Sequence, residues 1–170
     1  MIPDVTFAHG DIRDTDFPDA SFDAYFSWGT FEHFEIGLGP CFEEARRILK
    51  KNGYLFITVP FQNGRHTRRD RRALWHWDES FDKQTGYRSP MRFYQWRLTL
   101  PELHQAFEMH GFRFLQGRPI HKIVGLRRML KHDFSLPYES ITHRILRPLL
   151  RPLVPARYVS HMILGVGSRR

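Results

Sequence analysis

The sequence has little that would place the protein outside the cell or inside a membrane. Cys41 is the single cysteine among 170 residues, so no intrachain disulfide can form and a buried thiol in a reducing compartment is expected. No run of about 18 apolar residues occurs, so no membrane-spanning helix is predicted. Residues 1–11 show neither a basic leader nor an apolar core. We therefore predict no signal peptide and expect a cytoplasmic location.

The net charge of +8 is unevenly distributed along the chain. Residues 1–60 hold 5 Lys/Arg against 10 Asp/Glu, whereas residues 111–170 hold 12 against 2. This surplus indicates an anionic partner, such as a lipid headgroup, a nucleic acid or an acidic substrate. The segment 141–157 alternates Arg with Leu, Ile and Val. That pattern is typical of peripheral contact with an anionic membrane, or of a basic connector packed against the protein.

Three apolar runs of strand length and one helix are predicted in the first 60 residues. The strands are predicted at Val5–His9, Phe22–Trp28 and Tyr54–Val59, and the helix from Pro40 to a stop at Asn52-Gly53. Continuous apolar runs of this kind suit strands that are buried on both faces of a parallel sheet. The succession of strand, helix and strand predicts a βαβ unit, and therefore an α/β fold.

The remaining residues complete a single predicted domain, 1–170. A helix is predicted at Leu100–His110, a strand at Phe112–Ile120 and a last strand at Ser160–Ser168. Residues 61–97 lack clear periodicity and are predicted to form a long loop, with at most a short helix, that carries substrate contacts or covers a site. Residues 121–159 are predicted to be a basic connector between the last two strands, and their prolines are expected to interrupt any long helix.

A series of short motifs runs through residues 5–60 and resumes in residues 96–126. They are Gly10-Asp11 after a strand, the polar loop Asp16–Asp23, the pair Glu32-His33, the stretch Arg47–Gly53, the strand end Pro60 and the later Gly111-Phe112. Each motif is weak alone, but their order and spacing together are specific. On these residues the chain is identified as a member of the small-molecule class I S-adenosylmethionine-dependent methyltransferases.

The resemblance implies a partial Rossmann-like fold. The family's sheet has strand order 3-2-1-4-5-7-6 with an antiparallel last strand, and this chain corresponds to strands 3–7. No G-x-G-x-G motif occurs, and Gly37-x-Gly39 and Gly165-x-Gly167 lie in the wrong contexts for the cofactor loop. We therefore expect an N-terminally truncated sequence. The alternatives are a second chain that completes the sheet, or a first strand that pairs directly with the second.

The resemblance also implies roles for individual residues around S-adenosylmethionine. Asp11 would accept a hydrogen bond from the adenine amine, and Ile12 would add its backbone N–H and an apolar contact. The strand end would approach the methionine part of the cofactor through Ser27, Trp28 and Gly29. His33 is the candidate general base. For each residue, a purely local structural role is the competing interpretation.

The predicted function is methyl transfer from S-adenosylmethionine to an oxygen or nitrogen of a small-molecule, lipid-linked or glycan-linked acceptor, impaired in this chain. The alternative is a non-catalytic fragment or binding module whose basic surface docks on nucleic acid or membrane. The basic run 65–72 suits a solvated loop, a substrate phosphate or, less well, nucleic acid. The residues His66, His76 and Asp78 match no metal-ligand spacing, and no metal is predicted.

Overall fold

The computed structural model describes residues 5–72, 81–82, 86–87 and 93–170. The main sheet is built from four strands: β1 (Phe22–Trp28), β2 (Leu49–Pro60), β5 (Phe112–Ile120) and β6 (Met162–Arg169). Two short strands pair separately: β3 (Phe81–Asp82) and β4 (Gly86–Tyr87). A 3₁₀ turn (Phe31–His33) accompanies six helices: α1 (Gly39–Ile48), α2 (Gly64–Arg72), α3 (Leu100–Met109), α4 (Lys122–Asp133), α5 (Ile141–Leu153) and α6 (Ala156–Val159).

The main sheet has the order β1-β2-β6-β5. Strand β1 is parallel to β2, and β6 runs antiparallel to both β2 and β5. This is the order expected for the last four strands of the seven-stranded sheet, 4-5-7-6. The prediction of an α/β, Rossmann-like partial fold is confirmed.

The prediction of a strand at Val5–His9 is wrong. Residues 5–10 have no regular structure, and Phe7 is 92% exposed. Within the described residues, β1 pairs with β2 alone, so the segment does not pair with β1 either. A strand needs a neighbour that accepts its backbone hydrogen bonds, and the described part of the chain offers this segment none.

The βαβ unit is confirmed, but its helix ends earlier than predicted. Helix α1 ends at Ile48, and Leu49 is already extended and pairs with Phe22. Asn52 does adopt a left-handed conformation, with φ of 64°. It does so inside β2, where the register with β1 shifts between Phe22 and Ala24. Left-handed Asn here serves an irregularity in a strand and not a helix stop.

One face of the sheet is covered by α1 and α3. Their side chains Phe42 and Phe107 are fully buried with Phe112 of β5. A Cβ atom at Gly167 would lie 2.3 Å from Phe107 Cδ1. Gly165-x-Gly167 therefore allows α3 to pack closely on β6, which is a structural reason for these glycines.

The opposite face of the sheet leaves large apolar side chains exposed. Phe26 and Trp28 of β1 are 55% and 60% exposed, and Tyr54 of β2 is also exposed. The Phe26 and Phe56 rings stack with centroids 4.5 Å apart. We call this surface the aromatic face. The apolar runs of β1 and β2 predict that both faces of these strands are buried. Within the described residues, only one face is.

The prediction that prolines prevent a long helix in 121–159 is wrong. The segment forms α4, α5 and α6, and Pro148 and Pro152 lie inside the 13-residue α5. Each proline removes one backbone donor from the helix. Both prolines are exposed, as is Arg144, whose carbonyl would have bonded to residue 148. Water can therefore satisfy the freed carbonyl, and the helix continues.

Candidate active site at the carboxyl edge of the sheet

The carboxyl end of β1 places three predicted cofactor residues together. The Ser27 side chain is buried on the face covered by the helices, whereas the Trp28 side chain points away from the core. Gly29 has a φ of 69°, which favours glycine, and its N–H donates to the Thr58 carbonyl at 3.0 Å. A Cβ atom at Gly29 would lie 3.4 Å from Glu32 Oε1. The backbone therefore turns sharply here and leads directly into the 3₁₀ turn.

The 3₁₀ turn carries a buried carboxyl group that sequence reasoning did not single out. Glu32 is only 2% exposed, and its Oε2 has no hydrogen-bond partner among the described residues. Burial raises the pKa of Glu32, and the neighbouring His33 opposes this rise. The resemblance assigns a chemical role in the Glu32-His33 pair to the histidine only. Nothing in the sequence showed that the glutamate would be the buried member.

His33 is half-exposed at the same turn. Its Nε2 lies 3.9 Å from Glu32 Oε1, and its ring meets Tyr94 edge-on with centroids 6.4 Å apart. The segment that includes Tyr94 holds the turn in place, because Trp96 N–H donates to the Glu32 carbonyl at 2.9 Å. His33 is thus partly exposed and bordered on two sides, and its role as a general base stays a prediction.

Asp11 and Ile12 lie on a loop that reaches the turn through Arg13. The Asp11 carboxylate accepts from the Arg13 side chain at 2.5 Å and from the Arg13 backbone at 2.9 Å. These bonds lower the pKa of Asp11 to about 2. Arg13 also lies 4.4 Å from the Phe34 ring centroid, and Ile12 packs against the main core. The Asp11 carboxylate is thus paired with Arg13, and the predicted contact of Asp11 with adenine stays a prediction.

Helix α1 anchors the remainder of this loop. Glu44 is buried and accepts from Thr15 N–H at 2.9 Å and from Arg47 Nη2 at 2.7 Å. Arg47 also donates to the carbonyls of Thr15 and Phe17, both at 2.8 Å. The Arg47 bond is the main cause that lowers the pKa of Glu44 to about 2. The loop that carries Asp11 is therefore fixed to the covered side of the sheet. Cys41 of the same helix is buried as predicted, and burial raises its pKa to about 12.

A basic cleft of about 540 Å³ opens beside this turn. It is lined by Tyr94, by Pro60 at the end of β2, by His161 just before β6, and by residues of α2 and α4. His66, one of the three histidine and aspartate positions considered for a metal, lies in the cleft wall. His76 and Asp78 lie outside the described residues. The cleft joins parts of the chain that are far apart in sequence, so spacing alone could not reveal it.

Comparison with known proteins agrees with this description. Residues 2–57 match the model of a family described as a methyltransferase domain. A candidate methyltransferase crystallised with the Haloferax volcanii Trm112 methyltransferase activator superimposes with a TM-score of 0.60 and 18% identity, covering 99% of this chain and 63% of that chain. No curated protein matches the chain.

Two archaeal enzymes have the same fold. A SAM-dependent methyltransferase from Archaeoglobus fulgidus matches with a TM-score of 0.54 and 14% identity, covering 95% of this chain and 66% of that one. One from Methanosarcina mazei matches with a TM-score of 0.52 and 16% identity, covering 94% and 65%. The chain spans slightly less than two thirds of the length of each of these proteins.

The sheet order, the site at its carboxyl edge and these structural matches define the class I methyltransferase fold. Residues 2–57 are in addition similar to a methyltransferase domain.

Proposed function

We propose that the protein transfers a methyl group from S-adenosylmethionine to an oxygen or nitrogen of a small-molecule, lipid-linked or glycan-linked acceptor. The observation that carries the proposal is the left-handed Gly29 and the buried Glu32 side by side at the carboxyl edge of the sheet, where ligands bind in open α/β folds. A buried carboxyl oxygen without a partner among the described residues is an incomplete polar environment. A donor group on a bound ligand would complete it.

We propose that some residues of this edge bind the cofactor and that others transfer a proton. When bound, S-adenosylmethionine supplies a methyl group on a positively charged sulfur. The acceptor nucleophile attacks the methyl carbon in line, and the sulfur leaves. The backbone of Trp28 and Gly29 and the loop of Asp11 and Ile12 are proposed to hold the cofactor. His33 is proposed to receive the acceptor's proton at Nδ1, because its Nε2 faces the Glu32 carboxylate. That carboxylate would stabilise the imidazolium that results.

The sequence contains no G-x-G-x-G loop, and we propose that cofactor affinity of this chain alone is low. Isothermal titration with S-adenosylmethionine would compare the chain with a longer protein that includes residues encoded upstream of Met1. In whichever protein binds, Gly29→Ala should raise the Kd about tenfold, because a left-handed alanine is strained by about 1 kcal/mol or more.

The matched control for this titration is Gly10→Ala. A Cβ atom at Gly10 would meet nothing within 4 Å, so this variant should keep its Kd within about twofold. The absence of cofactor binding by both the chain and the longer protein would contradict the proposal.

A second candidate activity is peripheral membrane contact through 141–157. Helix α5 carries four apolar side chains spaced four residues apart, all 55–75% exposed: Ile141, Ile145, Leu149 and Leu153. Three arginines lie on the same helix: Arg144, Arg147 and Arg151. Exposed apolar residues beside arginines suit insertion between anionic headgroups. Among the described residues, no helix is long and apolar enough to cross a bilayer.

Vesicle sedimentation tests this second candidate. Ile145→Ser with Leu149→Ser should abolish binding to vesicles that contain phosphatidylserine, whereas Ile36→Ser, at another exposed isoleucine, should leave binding intact. Equal binding by both proteins would contradict a role for α5. Nucleic acid is a weaker candidate, because the run 65–72 forms α2 and its Arg65 is held by Asp133 at 2.5 Å.

We propose that further polypeptide covers the aromatic face and the edge of β1 that is unpaired among the described residues. Exposed Phe26 and Trp28 support this, since large aromatic side chains gain free energy from burial. The cover is either more of the same chain or a second chain that completes the sheet. Sedimentation equilibrium tests whether the second chain is another copy of this one, because self-association makes the mass depend on concentration.

A further inference from the structure

The basic cleft contains more cationic than anionic side chains. Four arginines line it: Arg65, Arg69, Arg97 and Arg128. Two carboxylates pair with this group from outside the lining. Asp133 accepts two bonds from Arg65 at 2.5 and 2.6 Å, and Asp70 accepts from Arg97 at 3.1 Å. Within the described residues, four guanidinium groups against these two carboxylates leave a surplus of two positive charges.

Arg128 is the arginine of the cleft with no carboxylate inside salt-bridge distance in the described part of the chain. Its Nη1 lies 3.2 Å from Nδ1 of His161. When Arg128 donates to that nitrogen, the His161 proton is on Nε2 and is free to be donated elsewhere. Arg128 and His161 together can therefore present several N–H donors to one ligand group.

Two histidines that line the cleft, His66 and His161, lie close to its arginines. Burial is the main cause that lowers the pKa of His66 and of His161 to about 4, and nearby arginines lower them further. Arg97 acts on His66 and Arg128 acts on His161. Cationic side chains crowded in this way are mutually unfavourable until an anion lies between them.

The cleft also adjoins the site proposed for methyl transfer. Tyr94 lines the cleft and contacts the His33 ring edge-on. Pro60, at the carboxyl end of β2, lies in the cleft wall. A ligand held by the arginines would thus have its other end near the 3₁₀ turn.

We propose that this cleft binds the phosphate group of the methyl acceptor, with Arg128 and His161 as its principal donors. Arginine presents a planar fork of donors that matches phosphate oxygens, and a phosphate monoester carries about the charge that the cleft leaves unbalanced. The volume of about 540 Å³ accommodates a phosphate and part of the group attached to it. That the phosphate belongs to the methyl acceptor rests on the proposed function, whereas phosphate binding in this cleft does not. The phosphate belongs either to a soluble monoester or to a lipid headgroup.

Titration of the protein with inorganic phosphate and with glycerol 3-phosphate, without S-adenosylmethionine, tests the cleft directly. Arg128→Gln should raise the Kd about tenfold or more, as expected for loss of a charge-assisted hydrogen bond. Arg69→Gln provides a second variant at the same cleft, with a smaller expected increase because Asp70 lies 4.0 Å from Arg69. Arg118→Gln removes an equal charge from an exposed position on β5 and should change the Kd less than twofold. Thermal melts verify that each variant is folded.

Vesicles distinguish the two sources of phosphate. If the source is a lipid, vesicles with phosphatidic acid should bind more tightly than vesicles of equal charge with phosphatidylserine, and Arg128→Gln should remove that preference. If the source is soluble, glycerol 3-phosphate should bind and the two vesicles should be equivalent. The proposal is overturned if the folded protein binds neither soluble phosphate nor phosphatidic acid in preference, or if Arg118→Gln weakens binding as much as Arg128→Gln. Failure of methyl transfer alone would leave these binding results unchanged, so the two proposals fail separately.

Discussion

The two faces of the main sheet are made from the same strands but have opposite surroundings. On β2, Leu55 and Ile57 are fully buried beneath α1 and α3. Tyr54 of the same strand, which is flanked by β1 and β6, is exposed on the other face. Strand β1 repeats the contrast with buried Ser27 and exposed Phe26 and Trp28. The residue types on the aromatic face are as apolar as those of a core. The difference lies in what covers them. The covered face contains the main hydrophobic core, and a separate, smaller cluster joins α4 and α6 through Leu126, Met129 and Val159.

The covered face should therefore dominate stability, and Phe107→Ala should have the largest effect. Phe107 is fully buried, and its ring contacts those of Phe42, Phe112 and Phe114 with centroids 5.2 to 6.0 Å apart. Removal of a buried phenyl ring costs about 3–5 kcal/mol. Urea unfolding followed by circular dichroism would measure the loss.

Met109→Ala on the same helix is the matched control for Phe107→Ala. Its side chain is exposed, so the free energy of unfolding should change by less than about 0.5 kcal/mol. If both variants lose similar amounts of stability, α3 does not cover the sheet as described.

The stability of the loop that carries Asp11 should depend on pH through Glu44. The pKa of Glu44 is lowered to about 2 from an ordinary 4.5. Its stabilising bonds with Arg47 and Thr15 are therefore fully present above about pH 4.5, and are lost as the pH falls towards 2. Glu44→Gln should cost about 2 kcal/mol at neutral pH. It should also flatten the decrease in stability between pH 4.5 and 2.

Glu43→Gln is the control for this pH profile. Glu43 is an exposed neighbour on α1, and its substitution should leave the free energy of unfolding within about 0.5 kcal/mol of the original value. An acid transition that is unchanged by Glu44→Gln would show that other carboxyl groups control it.

The covered face is also where the sequence was most informative. The bounds predicted for Phe22–Trp28 and Phe112–Ile120 are confirmed, and the helix predicted at Leu100–His110 ends one residue earlier. In each case the local apolar pattern and the long-range packing favour the same structure. Val5–His9 has the pattern of a strand but, among the described residues, no neighbouring strand. Pattern alone cannot supply that partner.

The candidate site was predictable only where the chain is locally continuous. Gly29 and His33 follow β1 directly, so the resemblance located them together. The burial of Glu32 depends on the packing of the 3₁₀ turn, and the Arg128–His161 contact joins residues 33 positions apart. The prolines of α5 predict an interrupted helix, but the helix continues through them. The rule that prolines break helices does not consider that water can solvate the carbonyls they free.

The aromatic face should give the smallest change in stability and the clearest change in surface properties. Phe26→Thr with Trp28→Thr preserves strand propensity and removes two largely exposed rings, so the free energy of unfolding should change by less than about 1 kcal/mol. Binding of the dye anilinonaphthalene sulfonate should decrease, because exposed apolar surface is lost. Phe7→Thr, at a nearly fully exposed ring outside the sheet, should change neither quantity. A loss of several kcal/mol in the double variant would mean that the aromatic face is covered in solution, and concentration-dependent stability would identify a second copy as the cover.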